Sequence, residues 1–306
     1  MKFAFPMPHM MRLKASTQPW EANVTGRDQT YMAKQAEAMG YDMIAVPEHF
    51  IIPNEHVELS GPHYFHSAAA QGYFAGATDS IRLNSCISIL PLQNPIVTAK
   101  ALSTLDWLSS GRMITTFAVG WLKGEFDILR VPFHERGKIA DEYLAAIVEL
   151  WTSDNPCFEG KYIAFNEVAF EPKPVQKPHV PIWMGGDADA VLKRAAKYAS
   201  GWWPFLTKPE DIANRIDFIK SQADYSDRPF EVMYGMSTSR VGEGHTVNDD
   251  PNARPGQSAQ EILDRLNWFA EQGVTMSSVP IPAANSIADY LDYCQWVMED
   301  IKPHIQ

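Results

Sequence analysis

Glu48 and His49 stand side by side, and an imidazole there can accept, donate or hold a proton near neutral pH. A structural histidine bonded to the next loop explains the position equally well. His56, His63 and His66 follow closely, so a metal site has to be weighed. Their spacing is not HExxH, and no HxH pair stands in the first apolar run, so structural or lid roles are the expectation. Asn84, Ser85, Cys86 and Ile87 are small to medium side chains that would let a flat ring approach the backbone. Cys86 has no neighbouring base to activate it and reads by itself as a core thiol. Gly120 permits close backbone approach, Trp121 offers an aromatic wall and Glu125 a carboxylate. A glycine turn with a core tryptophan is the plainer alternative. Gly185, Gly186 and Asp187 immediately precede a helical stretch, where successive N–H groups could cradle an anion. The same triplet also suits a tight turn with Asp187 as N-cap. Trp202 and Trp203 would point to opposite faces of a strand, so one of them, taken as Trp202, would face a site.

These residues need elements that bring them together. Short apolar or β-branched runs at 2–6, 42–46, 83–89, 113–119, 182–184, 201–204, 230–238 and 276–280 read as strands. Stretches of helical period at 29–39, 66–77, 95–109, 135–151, 188–199, 209–223, 259–272 and 287–301 alternate with them. Asn94 before Pro95 is an N-cap followed by a first-turn proline, and Thr207 with Glu210 and Ser258 with Glu261 read as capping boxes. Eight strand–helix units predict an α/β fold, a closed (β/α)8 TIM barrel in one domain over residues 1–306. No GxGxxG follows the first strand, which disfavours an open dinucleotide-binding sheet. Insertions are expected after strands two, four and seven, at 50–65, 154–180 and 240–257, with a small hairpin over 161–170. In a barrel, polar residues just past the strand ends are the first candidates for chemistry.

Composition narrows the partners. The chain has 306 residues, 45% hydrophobic and 21% charged, with a formal net charge of −11. That balance argues against nucleic acid and against anionic membranes, both of which need a basic face. Cys86, Cys157 and Cys294 are too few and too scattered for a disulfide framework, so a reducing cytoplasm is expected. The opening run MKFAFPMPHMM is too short and too broken by proline for a signal peptide or a membrane span.

Several runs together resemble the luciferase-like family of flavin- and deazaflavin-dependent oxidoreductases. They are VPEHF at 46–50, PLQNPIVTAKALSTLDWLSSGR at 91–112, AVGWLKGEFDILRVPFHERG at 118–137 and DEYLAAIVELW at 141–151. FEPKPVQKPHVPIWMGG at 170–186 and RAAKYASGWWP at 194–204 complete the set. The resemblance implies a barrel that binds a reduced isoalloxazine-type ring at its C-terminal mouth. His49 would serve there as acid/base or hydrogen-bonding residue, with Glu48 beside it. A non-proline cis peptide is implied near Cys86 and Ile87. Gly120, Trp121 and Glu125 would line the ring, and Gly185, Gly186 and Asp187 would hold the cofactor phosphate. Arg136 matches the family's RG motif and is expected in a structural ion pair, and the segment 240–257 falls where the family carries a mobile loop.

Many FMN-dependent members carry a second histidine where Phe50 follows His49 here, and an acidic–His pair followed by an apolar residue also occurs in the deazaflavin branch. The resemblance therefore implies either a monooxygenase using reduced FMN from a separate flavin reductase, or a hydride-transfer enzyme using coenzyme F-420. The net charge leans toward the first, because the F-420 tail is acidic. The substrate is expected to be a small hydrophobic organic molecule, no metal is expected, and the family implies a homodimer. A ligand-binding barrel without catalysis and a barrel metal-hydrolase are the competing classes.

Overall fold

The apolar runs that alternate with helical stretches pair in parallel and close on themselves. The computed structural model describes residues 1–14, 17–236, 258–279 and 284–305. In chain order the elements are β1 (Lys2–Phe5), α1 (Gly26–Ala38), β2 (Met43–Val46), α2 (Val57–Ser60), α3 (Ser67–Ala75), β3 (Arg82–Ile89) and α4 (Pro95–Leu108). Then come β4 (Met113–Ala118), α5 (Lys123–Ile128), α6 (Arg136–Thr152), β5 (Phe158–Glu159), β6 (Ala164–Phe165), β7 (Ile182–Gly185) and α7 (Asp189–Tyr198). The chain continues through β8 (Gly201–Trp203), α8 (Ile212–Lys220), β9 (Glu231–Gly235), α9 (Ala259–Glu271), β10 (Met276–Ser278) and α10 (Ile287–Trp296). Eight strands form a closed barrel in the order β1-β10-β9-β8-β7-β4-β3-β2. This is the TIM barrel expected from the sequence.

Period-two alternation separates two cores. Phe3 and Phe5 pack under the helices, while Ala4 between them joins Met43, Ile114, Trp183, Met233 and Met276 inside the barrel. Gly201 makes room there, because a Cβ at that position would lie 2.5 Å from Trp183 Nε1. The outer layer is built from helix stripes such as Ile262, Leu266 and Phe269 on α9, all essentially inaccessible. Burying each such side chain contributes roughly 1.5–3 kcal/mol. At the N-terminal end of the barrel, Glu231 on β9 binds Arg82 on β3 at 2.8 Å and Lys2 on β1 at 2.5 Å. Lys302, beyond α10, donates to Gly40 O at 3.1 Å and Asp42 Oδ2 at 3.3 Å.

The expected caps hold at α4 and α9. Asn94 accepts from the N–H groups of Ile96 and Val97, and Ser258 and Glu261 form a reciprocal capping box. The box expected from Thr207 and Glu210 does not form. Lys208 stands at the N-cap position of a short 3-10 turn at Pro209–Asp211 without a side-chain capping bond, and the Thr207 hydroxyl donates to Asp187 at 2.6 Å. The Thr207 N–H that a capping box would give to Glu210 goes to Asp187 as well, at 2.8 Å. The hairpin expected over 161–170 starts earlier, with β5 antiparallel to β6. Helix α10 gives way to a π turn at Val297–Ile301 rather than running unbroken. The C-terminal parts of the seventh and eighth strand readings, and the loop read at 240–257, lie outside the described residues.

Candidate active site at the strand ends

A cavity of about 390 Å³ opens at the C-terminal ends of β2, β3, β4, β7 and β8. Each strand contributes the residues at its tip: Glu48 and His49, Cys86 and Ile87, Gly120 and Trp121, Gly185 to Ala188, and Trp203 to Phe205. Apolar groups make up most of the wall, as a flat organic ring would require.

His49 is the most constrained group. Its Nδ1 lies 2.8 Å from Glu125 Oε2, and the two side chains are only 9% and 0% exposed. The Phe50 N–H donates to Glu125 Oε1 at 2.6 Å and the Ile51 N–H to the same oxygen at 3.3 Å. Glu125 thus fixes both the imidazole and the backbone that carries it. With Nδ1–H donated to the carboxylate, Nε2 is the nitrogen available to the cavity. Tyr64 packs edge-on against His49, with ring centroids 4.8 Å apart, and Trp121 does so at 6.1 Å. Burial and the nearby Glu125 push the Tyr64 phenol up to about 12. It therefore stays a neutral hydroxyl, and it donates to Ser60 O at 2.8 Å.

Glu125 was expected to line the ring. It stands behind His49 instead, fully buried on α5. The turn that sends the chain there is Gly120, at φ +79°, where a Cβ would lie 2.7 Å from Ile89 Cγ2 and 2.8 Å from Phe126 Cε2. Arg136 was expected in an ion pair. Its Nε donates to Gly120 O at 3.2 Å, its Nη1 donates to Phe133 O, and its guanidinium lies 3.9 Å from the Phe133 ring centroid. It therefore braces the glycine turn.

The peptide between Cys86 and Ile87 is cis, where the resemblance implied it. Both residues border the cavity, and burial pushes the Cys86 thiol well above its ordinary value, which keeps it an unreactive wall. Ser85 does not share that position. Alternation turns it outward, where its hydroxyl meets Thr115 Oγ1 at 2.8 Å. Glu48 is buried beside His49, with its carboxylate accepting from Ser88 Oγ at 3.1 Å and Gln93 Nε2 at 2.7 Å. Burial raises its pKa, and His66 and the hydrogen bonds only partly offset that.

At the opposite side, Gly185 and Gly186 lead into α7. A Cβ at Gly185 would lie 3.0 Å from Ile87 Cδ1, and Gly186 has φ +112°. The two glycines bring the start of α7 to the cavity edge, where its N–H groups and dipole favour an anion. The Asp187 side chain is not turned to an anion, which leaves only its backbone N–H for that role. Its carboxylate accepts from the N–H groups of Phe205, Leu206 and Thr207 at 2.8–3.0 Å, so it ties down the loop after β8. Ala188, not Asp187, is the N-cap.

Trp202 was placed at the site from sequence, and the structure puts Trp203 there. The β7–β8 register pairs Gly185 with Trp203 and Met184 with Trp202. Trp202 consequently faces the helices, fully buried, with Nε1–H donating to Gly186 O at 2.8 Å. Nothing within the two-tryptophan run sets that parity. Tyr64 and Met11 also border the cavity; Tyr64 is one of several loop aromatics that hint at a hydrophobic ligand, and Met11 had no sequence signal. The remaining loop histidines serve separate contacts: His56 packs on Trp121, His63 on His9, and His66 caps α3.

An apolar slot with a carboxylate-held imidazole on one wall and a helix start on another fits a flat ring carrying a phosphate. The candidate functional groups are gathered at the C-terminal mouth of the barrel. The chain belongs to the luciferase-like monooxygenase family, whose model matches residues 2–247, and its members are flavin- or F-420-dependent oxidoreductases. It is 28% identical over 275 residues to an uncharacterized protein of Mycobacterium tuberculosis, covering 85% of this chain and 90% of that one. It is 31% identical over 150 residues to an FMNH2-dependent dimethylsulfone monooxygenase of Pseudomonas putida, covering 48% of this chain and 41% of that one. Among solved structures, monooxygenase RslO1 from Streptomyces bottropensis superposes with a TM-score of 0.75 at 18% identity, covering 99% of both chains. The coenzyme F-420 dependent tetrahydromethanopterin reductase of Methanopyrus kandleri does so with a TM-score of 0.70 at 18% identity, covering 93% and 97%. No helix among the described residues is long and apolar enough to cross a membrane.

Proposed function

We propose that this protein is a monooxygenase that takes up reduced FMN from a separate reductase and oxidises a small apolar organic substrate. The observation that carries the oxidoreductase reading is the His49–Glu125 pair set into an apolar, ring-sized cavity. The choice of FMN is supported by the FMNH2-dependent relative and by the net charge of −11, which suits a single phosphate better than an acidic tail. When bound, the reduced flavin supplies the electrons that activate dioxygen. This chain's residues do the rest. Ile87, Trp121 and Trp203 would enclose the ring and exclude water, and the turn at Gly185 and Gly186 with the start of α7 would hold the phosphate. Glu125 holds the imidazole so that Nε2 of His49 can give or take the substrate's proton.

A second reading is hydride transfer with coenzyme F-420. It is favoured by Phe50, which stands where many FMN enzymes carry a second histidine, and by the F-420 dependent structural neighbour. One titration separates the two. Under anaerobic conditions, reduced FMN should saturate the purified protein and reduced F-420 should not. Tight binding of F-420 alone would reverse the assignment, and binding of neither would remove both.

A further inference from the structure

Behind the wall that carries His49 lies a second cavity of about 260 Å³, lined from α3, α4 and the tip of β3. Polar side chains, among them Glu48, Gln71, Ser88 and Gln93, form a larger share of its wall than of the first cavity's. Glu48 borders both cavities. Gln71 is fully buried and donates Nε2 to Ser67 Oγ at 2.6 Å, and its Oε1 has no hydrogen-bond partner among the described residues. An orphaned buried amide oxygen costs about 1–3 kcal/mol unless water meets it. Glu48, Gln71, Ser88 and Gln93 together would offer a water the two to four partners that hold it in place. His66 lines the same chamber and is itself exposed to solvent.

We propose that this chamber is a water-filled proton route, with Glu48 at its inner end and His66 at its outer end, that exchanges the reaction's proton with bulk solvent. The inference rests on the oxidoreductase reading of the main cavity. A chamber water gives a proton to a Glu48 carboxylate oxygen, breaking one of the water's O–H bonds. The carboxyl so formed passes that proton to an acceptor in the main cavity and returns to carboxylate. The chamber regains a proton from solvent at the His66 end, and no electrons move. The titratable groups around Glu48 are His66 on the chamber side and, on the cavity side, His49 with Glu125 behind it. Burial lifts the Glu48 carboxyl above its ordinary value, toward the range in which a group both takes and gives a proton.

The test uses ligand-free full-length protein, so it does not depend on which cofactor binds. At a pH low enough to protonate Glu48, infrared difference spectra assign its carboxyl band as the one lost in Glu48→Gln, and the hydrogen–deuterium exchange of that proton is then timed. Exchange should be fast in the native protein and about tenfold or more slower in Gln71→Leu, which replaces the orphaned acceptor with an alkyl group. Ser88→Ala serves in the same way if Gln71→Leu does not fold. A high-resolution crystal structure of the native protein should show ordered water bonded to both Gln71 Oε1 and a Glu48 oxygen. A dry chamber, or unchanged exchange in the folded variant, would overturn the proposal while leaving the cofactor titration untouched.

Discussion

His49 and Glu125 lie far apart in sequence and within one hydrogen bond in space, and their value lies in that geometry. Replacing Glu125 with Ala leaves the Phe50 and Ile51 N–H groups without their acceptor as well as freeing the ring. Glu125→Gln keeps an acceptor and the side-chain volume, so it isolates the positioning role. It should lower kcat about 10²-fold with a smaller change in KM, as measured by steady-state kinetics with the reduced cofactor. An unchanged kcat together with an unchanged pH profile would sink that role. The two tryptophans make a sharper comparison. Trp202→Ala should cost roughly 3–5 kcal/mol of unfolding free energy by denaturant titration, because it empties a fully buried site. Trp203→Ala should weaken cofactor binding with a smaller loss of stability, since its ring is only partly buried and faces the cavity. If the two variants behave alike, the strand parity does not set the division of labour between them.

At the scale of elements, Asp187 couples two pieces of the mouth. It leads into α7 and accepts three N–H groups from the loop after β8. Asp187→Ala should cost about 1–3 kcal/mol and speed limited proteolysis at residues 205–207, while far-ultraviolet circular dichroism stays native. A cleavage pattern identical to that of the native protein would contradict the coupling. The elements themselves were legible in the sequence because their signals are local. Asn94 before Pro95 starts α4, and Ser258 with Glu261 starts α9. The site was half legible for the same reason. His49 and Gly120 follow strand tips and Gly185 ends one, positions readable from order alone. Glu125 was misplaced because its partner is a side chain 76 residues away, and Ser85 and Trp202 because a side-chain phase depends on the register with a neighbouring strand. Helices α2 and α5 were not foreseen, since 4 and 6 residues carry too little periodicity to stand out.

For the molecule as a whole, pH should act on the closed end of the barrel as well as on its mouth. Burial alone would raise the pKa of Glu231, but hydrogen bonds from Arg82 and Lys2 outweigh it and hold the folded-state value below the ordinary one. A carboxyl depressed in the folded state stabilises above its unfolded value, roughly pH 4.3, and that stability is lost as pH falls through the folded value. Glu231→Gln should therefore melt below the native protein at pH 7, and the gap should close as the pH is lowered from 4 toward 3. A melting difference that is flat from pH 7 to 3 would count against the ion trio.

The seam between β1 and β10 has a temporal consequence as well. Strand β1 is made before the other barrel strands, and its partner across the seam, Met276–Ser278, is made after them. Throughout translation, the edge of β1 that Met276 and Ser277 later cover therefore has no strand beside it. Lys302, whose contacts with Gly40 O and Asp42 fasten the stretch after α10 near β2, emerges later still. Until Met276–Ser278 has been made and released, no strand closes the sheet against β1, so the mouth of the barrel becomes a complete ring only after that.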